Sequence, residues 1–317
     1  MKKTTQIISF CTLSALLFSA CSSEGNSAAE NSENWEPNGT VDLIVGAGPG
    51  GGSDIMARNF ASQYDGDLVV ENLEPVEGEF SVFSATGDAE QIGVGNWASM
   101  IAHPQEIETG YKWDDFTQLA IVASDALYLV AAPDAFDSAE DMVAQGQQQT
   151  LSVAQVGSSG GHQVVLEDIA DALDIDVNPI GFDGAGDQMN AVIAGDVDLA
   201  ILSPGAFMSY VESGEIEPLL SSAGEEYLPE ELQDVAVPED LGIDREFPLF
   251  WRNFFAPPEL DDAEIAYWLD SVEAWTESED YTEYLETNYL VPEFQTGEEL
   301  EERMQADHEY ITQGAEG

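Results

Sequence analysis

Basic residues are scarce in this sequence. Its 317 residues contain 63 Asp and Glu but only 7 Lys and Arg, which gives a formal net charge of −56. Nucleic-acid binding needs a basic surface, and so does attachment to anionic lipid by charge alone, so the composition argues against both. Because 44% of the residues are hydrophobic and 9% aromatic, the chain has a globular rather than a disordered composition. The acidity favours solubility, and it is also typical of a protein adapted to high salt, where screening weakens self-repulsion.

Cysteine and histidine are also rare. The two cysteines, Cys11 and Cys21, both lie near the N terminus, so the rest of the chain has no thiol for a disulfide, a metal or a nucleophile. The three histidines are His103, His162 and His308. They lie far apart without metal-ligand spacing, and no catalytic triad is evident. We therefore expect no enzyme activity, no metal and no cofactor.

Long hydrophobic runs are absent. The apolar run at residues 7–18 is too short to cross a bilayer comfortably, and no other segment predicts a span. Lys2 and Lys3 precede this run and small residues follow it, which is the layout of a secretory signal. The small residues directly before Cys21 resemble a bacterial lipobox, in which the cysteine is lipidated. A plain secretory signal with a nearby cleavage site is the alternative.

The N-terminal segments therefore predict a targeting signal and a linker rather than a folded element. We expect residues 1–20 to be a lipoprotein signal peptide and residues 21–39, which are small and polar, to be a flexible tether. The protein would then be extracytoplasmic, in the periplasm or at the cell surface. Its contact with the membrane would be the lipid anchor at Cys21.

Strands and helices alternate along the rest of the chain. A buried strand at 41–45, a glycine loop, a helix from 54 to about 64 and a strand at 68–70 predict a βαβ unit and a parallel sheet. Further predicted strands are 91–94, 118–122, 127–131, 151–154, 177–180, 199–202 and 218–220. Further predicted helices are 138–146, 162–173, 185–195 and 206–213, and the C-terminal part reads as helical.

The first glycine loop permits a dinucleotide interpretation. Gly46, Gly48 and Gly51 have the G-x-G-x-x-G spacing between a strand and a helix, and Glu71 ends the next strand. This outline indicates a flavin or nicotinamide oxidoreductase. Export of the chain argues against it, because soluble nicotinamide cofactors are scarce outside the cell.

The same loop also permits an anion-binding interpretation. Gly50 and Gly52 add to the motif and Ser53 and Asp54 follow, so the exposed amides would lie one turn later than in the dinucleotide motif. Free N–H groups at a helix N terminus bind anions. A third possibility is a tight turn that uses glycine for positive φ, with Ser53 or Asp54 as the cap.

A second glycine loop lies at residues 155–162. It follows a predicted strand, opens a predicted helix and offers the hydroxyls of Ser158 and Ser159 and the imidazole of His162. Two such loops can face each other across a cleft and hold a carboxylate, since ligands of open α/β sheets bind at this end of the strands. The alternative is a glycine-rich cap with His162 on the surface.

Several segments carry a resemblance to a known family. They are VDLIVGAGPGGGSDIMAR (41–58), VVEN (69–72), KWDDFTQLAIVAS (112–124), SSGGH (158–162), IGFDGAGDQMNAVIAGDVDLAI (180–201) and WRNFFAPPEL (251–260). From about residue 40 to 314 the chain resembles the substrate-binding proteins of tripartite tricarboxylate transporters, the Bug-type periplasmic receptors.

The resemblance implies an α/β fold of two domains around a hinged cleft, like the type II periplasmic binding proteins. Residues 40–124 and 247–317 would form the first domain and residues 125–246 the second. The implied protein is a monomer that captures a small organic carboxylate and delivers it to integral membrane transporter subunits. An exported oxidoreductase and a carboxylate receptor for a sensor kinase remain alternatives.

The resemblance also implies where the ligand binds. Matching positions are Gly50, Gly51, Gly52, Ser53, Asp54, Ser158, Ser159 and His162. Backbone amides would be the main donors, and Asp54 would cap its helix, since it would repel an anion. Asn96 and Trp97 follow a predicted strand and would line the cleft.

Other positions depart from the family pattern. Asp183, after Phe182, stands where the family commonly has lysine, and Ser203 also differs. These positions would contact the far end of the ligand, and the loss of a cation argues against a tricarboxylate. Trp97 and Phe182 would pack either against the ligand or in the core. Arg252 would either neutralise a second carboxylate or form a surface ion pair.

Overall fold

The computed structural model describes residues 35–156, 161–182, 184–245 and 247–314. The predicted signal peptide, Cys21, Ser158, Ser159 and Asp183 lie outside these residues. Eleven strands lie in the described part: β1 (Val41–Val45), β2 (Leu68–Asn72), β3 (Gln91–Asn96), β4 (Thr117–Asp125), β5 (Tyr128–Ala131), β6 (Leu151–Val156), β7 (Val177–Phe182), β8 (Leu199–Leu202), β9 (Glu217–Ser221), β10 (Phe250–Ala256) and β11 (Val291–Gln295).

Ten α-helices accompany these strands in the described ranges. They are α1 (Gly52–Gln63), α2 (Glu77–Ser84), α3 (His103–Glu106), α4 (Ala139–Gly146), α5 (Gly161–Leu173), α6 (Ala185–Ala194), α7 (Pro204–Glu212), α8 (Asp262–Thr276), α9 (Glu279–Asn288) and α10 (Gly297–Gly314). A π-helical turn at Ala98–Ala102 joins β3 to α3.

The strands form two sheets, as expected for two α/β domains. The first has the order β11-β4-β10-β3-β1-β2 and the second the order β7-β6-β8-β5-β9. β1 is parallel to β2 and β3, whereas β10 is antiparallel to β3 and β4. The chain passes to the second sheet between β4 and β5 and returns between β9 and β10. This is the predicted two-domain fold, with each sheet covered by helices.

The core of the first sheet is apolar and aromatic. Leu43 and Val45 of β1 are completely buried, and α8 packs Trp268, Val272 and Trp275 into the same cluster. Burial of each such side chain stabilises the fold by about 1.5–3 kcal/mol. Helix α8 therefore presents an apolar face to this core.

Helix α10 supports the strand that returns to the first sheet. Its Leu300 and Met304 are buried in one cluster with Trp251 of β10. The indole N–H of Trp251 donates a 2.7 Å hydrogen bond to Asp307 of α10. This contact fixes β10, which carries Arg252 into the site described below.

The prediction missed two strands and two helices: β10, β11, α2 and the short α3. β10 has consecutive buried residues, the polar Asn253 among them, and its partners β3 and β4 are distant in sequence, so no local alternation marks it. β11 contains Pro292 and lies at a sheet edge, where proline is tolerated. It shows that the C-terminal part is not entirely helical. α2 is short and begins after Val76, whose φ is 71°.

Candidate ligand-binding site

A cavity of about 390 Å³ lies between elements of the two sheets. From the first sheet and its helices it is lined by Gly52, Ser53, Asn96, Trp97, Asp125 and Arg252. From the second it is lined by Val156, Gly161, His162 and Ser203. This size and position suit a small-molecule ligand.

The first glycine loop places free amides at one wall of the cavity. Gly51 is the N-cap residue of α1 and no side chain caps the helix. The N–H of Gly50 bonds to Asp54, and that of Gly51 bonds to the carbonyl of Gly48. Within the described residues no acceptor is found for the N–H groups of Gly52 and Ser53, which the helix itself cannot satisfy. The anion-binding end of α1 therefore lies at these two residues.

Asp54 holds the loop in shape. Its carboxylate is buried and accepts bonds from the N–H of Gly50 at 2.8 Å, from Arg58 Nε at 3.0 Å and from Asn72 Nδ2 at 2.9 Å. The bond from Arg58 is the main reason that the pKa of Asp54 falls to about 2. Gly50 has φ of 82°, a conformation that glycine adopts without strain. Through these hydrogen bonds Asp54 fixes the conformation of the turn, and it does not line the cavity.

Asn96 connects the loop to the end of β3. Its Nδ2 donates to Ser53 Oγ at 3.2 Å, and its Oδ1 accepts from the N–H of Ser99 at 3.0 Å. Both Ser53 and Asn96 line the cavity. The amide therefore orients the serine hydroxyl at the N terminus of α1.

Arg252 brings a positive charge to the same wall. Its Nη1 lies 3.0 Å from Asp125 Oδ1, and the side chains are 17% and 2% exposed respectively. Its Nη2 lies 3.6 Å from the position that a Cβ would take on Gly52. Burial opposes the charge of Arg252, but the carboxylate of Asp125 outweighs it and raises the pKa of the guanidinium. Arg252 does form an ion pair, which was one of the two alternatives. The pair lies in the cavity wall, however, and not on the surface.

His162 faces this wall from the first turn of α5. It is half-buried, and its ring centroid lies 5.2 Å from that of Phe250. Burial lowers the pKa of His162 to about 4, although Asp125 opposes the shift. The imidazole is consequently neutral near neutral pH and contributes a hydrogen bond rather than a charge.

Trp97 and Ser203 also line the cavity, whereas Phe182 does not. Trp97 is completely buried, packs on Phe250 at 4.8 Å between ring centroids and meets Gly161 of α5. Ser203 is the N-cap residue of α7. Phe182 ends β7, the edge strand of its sheet, and lines a separate shallow depression. Phe182 pairs with Val156 of β6, which does line the cavity, so its contact with the ligand stays a prediction.

Sequence reasoning missed several residues that line the cavity: Ala98, Ala102, His103, Glu106, Asp125, Phe250 and Trp251. The predicted strand at 118–122 ended too early to include Asp125. An acid directly after the apolar run LAIVAS was a signal that could have marked it. The position of α3, which carries His103 and Glu106, depends on the π-helical turn and has no comparable signal.

The first glycine of the G-x-G-x-x-G pattern has a packing role. A Cβ on Gly46 would overlap the buried carboxylate of Glu79 on α2. A Cβ on Gly78 would lie 2.6 Å from the Cα of Gly46. Close contact of α2 with β1 therefore requires both glycines, which accounts for this part of the motif without a dinucleotide. Glu71, the proposed ribose ligand, is exposed on β2.

The fold and the interdomain cavity define a solute receptor of the periplasmic-binding type. The chain belongs to the tripartite tricarboxylate transporter receptor family, whose model matches residues 56–309. A UPF0065 protein of Bordetella pertussis is 21% identical over 268 residues, which cover 81% of this chain and 82% of that protein.

Solved structures agree with this fold. A TctC solute-binding protein from Polaromonas has a TM-score of 0.74 at 17% identity, covering 88% of this chain and 99% of the other. The R. palustris protein Rpa4515, solved with adipate, has a TM-score of 0.73 at 18% identity, covering 88% and 97%. Across the described ranges no helix is long and apolar enough to span a membrane.

Proposed function

We propose that this protein captures a small organic carboxylate in the cavity and delivers it to a tripartite tricarboxylate-type membrane transporter. The observation that carries this proposal is the convergence of three donors on one wall: the N–H groups of Gly52 and Ser53 and the guanidinium of Arg252. A carboxylate accepts such bonds strongly, and the helix dipole of α1 adds to them. The solved relative that contains adipate supports the same ligand chemistry.

The opposite wall completes the proposed site. His162 and Ser203 contribute neutral polar groups from the second domain. Ser158 and Ser159 belong to this proposal from the sequence alone. Gly50, Gly51 and Asp54 shape the loop, while Gly52, Ser53 and Asn96 contact the ligand. We assign residues 40–124 and 247–317 to the first domain, together with Asp125 because it ends β4, and the residues up to 246 to the second, so that closure of the domains would bury the ligand.

The N-terminal segments belong to the same proposal. Residues 1–20 would direct export, lipidation of Cys21 would anchor the protein, and residues 21–39 would let a monomeric receptor reach its transporter. Replacement of Cys21 with serine tests the anchor. The variant should leave the membrane fraction when cells expressing it are fractionated, and a variant that stays membrane-bound would contradict the anchor.

Ligand binding is the direct test of the receptor function. Purified protein lacking residues 1–34 would be titrated with mono-, di- and amino-carboxylates by calorimetry and by thermal shift in high salt. A ligand at a hundredfold excess over Kd should stabilise the fold by about 2.7 kcal/mol. A well-folded protein that no carboxylate stabilises would contradict the proposal.

A further inference from the structure

Among the described residues, one carboxylate in the cavity wall accepts a hydrogen bond on only one of its two oxygen atoms. Asp125 ends β4, lines the cavity and is 2% exposed. Its Oδ1 accepts a bond from Arg252, but within the described residues its Oδ2 has no hydrogen-bond partner. A buried carboxylate oxygen without a hydrogen-bond donor destabilises the protein. Such an oxygen therefore indicates that a bound ligand supplies the missing donor.

The geometry of the Arg252–Asp125 pair leaves each partner with a further group. The contact joins Nη1 to Oδ1 and is not the bidentate arrangement that a purely structural pair would favour. The Nε and Nη2 atoms of Arg252 lie beside Gly52 at the N terminus of α1. The wall therefore has donors on one side and an acceptor on the other.

The charge of the wall does not suit a dianion. Among the described lining residues Arg252 is the only Lys or Arg, whereas Asp125 and Glu106 are acids. Burial lowers the pKa of both His103 and His162, so neither adds a positive charge near neutral pH. A dicarboxylate would bring two negative charges to a wall whose one cation is already paired.

We propose that the ligand is a zwitterion that has one carboxylate and one cationic group with N–H donors. Its carboxylate binds the N–H groups of Gly52 and Ser53 beside Arg252, and its cationic group donates to Asp125. The missing bond to Asp125 is then made, and the ligand adds no net charge to the cavity. This inference rests on the proposed function and names the substrate class of the same site.

Matched ligands separate this inference from the receptor function. Calorimetric titration would compare γ-aminobutyrate, butyrate and succinate, then β-alanine, propionate and malonate, with alanine to vary the position of the amine. The best amino-carboxylate should bind about tenfold or more tightly than the mono- and dicarboxylate of its chain length. Tighter binding of the dicarboxylates would overturn the zwitterion but leave the receptor function intact. No binding of any of them would contradict both.

Variants locate the preference at Asp125. Asp125→Asn should lower the affinity for the best amino-carboxylate about tenfold and raise that for the matched dicarboxylate. Asp270→Asn removes an equal charge from the exposed face of α8 and should change neither. The double variant Asp125→Asn with Arg252→Gln avoids an unpaired buried arginine, and cooperative thermal unfolding would show that it is folded. Persistence of the preference in both Asp125 variants would overturn the inference.

Discussion

Gly161 of α5 packs directly against the indole ring of Trp97. A Cβ on Gly161 would overlap the Cζ3 atom of the ring, and Trp97 is completely buried. Trp97 directly follows β3 of the first sheet and α5 packs on the second sheet, so their contact sets how closely the start of α5 approaches the first sheet. Because Gly161 has no side chain, α5 packs close to Trp97. This packing places His162 next to the wall that carries Arg252.

Replacement of Gly161 by alanine should weaken ligand binding. The added methyl group would displace α5 or Trp97, and the donors on the two walls would no longer fit one ligand. We expect about a tenfold loss of affinity for the best carboxylate, measured by calorimetry. Gly186→Ala is the control, because a Cβ there meets no atom within 4 Å. Equal affinities of the two variants would contradict this role of the contact.

Asp54 should stabilise the protein in a pH-dependent way. The pKa of Asp54 is lowered from 3.8 to about 2, so its contribution is present above about pH 4 and is lost as the pH falls toward 2. Asp54→Asn should lower the free energy of unfolding by up to about 2 kcal/mol near neutral pH, and by less to the extent that solvent screens the loop. Denaturant unfolding of both proteins from neutral pH downward would measure the difference. A difference that does not shrink in acid would contradict the assignment.

Ligand affinity should be insensitive to pH near neutrality. Because burial lowers the pKa of His162 from 6.5 to about 4, the imidazole stays neutral until the pH falls toward 4. Affinity should therefore stay flat between about pH 6 and 8. His162→Gln keeps a neutral hydrogen-bonding group and should show the same flat profile. An affinity that rises below pH 7 in the natural protein but not in the variant would show a charged His162.

Binding should tolerate molar salt. With a net charge of −56, the protein repels an anionic group at low ionic strength. At about 1 M salt the screening length falls to about 3 Å, which removes most of this repulsion, while the short contacts at Gly52 and Ser53 persist. Titration across a salt series should show constant or improving affinity for a mono- or dicarboxylate. A steep loss toward molar salt would contradict the interpretation of the acidity as an adaptation to brine.

Local patterns predicted the part of the site that local geometry controls. The apolar run of β1 followed by glycines predicted α1, and Gly52, Ser53 and Asn96 all line the cavity. The charged pair was missed because Arg252 and Asp125 lie 127 residues apart and meet through the pairing of β10 with β4. The contact of Phe182 with the ligand stays a prediction, since strand order within the second sheet, which sets where β7 ends, cannot be inferred from its own segment.

The central claim is that one ligand carboxylate binds at the N terminus of α1. A crystal structure of the protein with its tightest-binding carboxylate tests this claim most directly. The account predicts a carboxylate between α1 and α5, within hydrogen-bond distance of the N–H groups of Gly52 and Ser53 and next to Arg252. A carboxylate bound elsewhere, with these amides uncontacted, would contradict it.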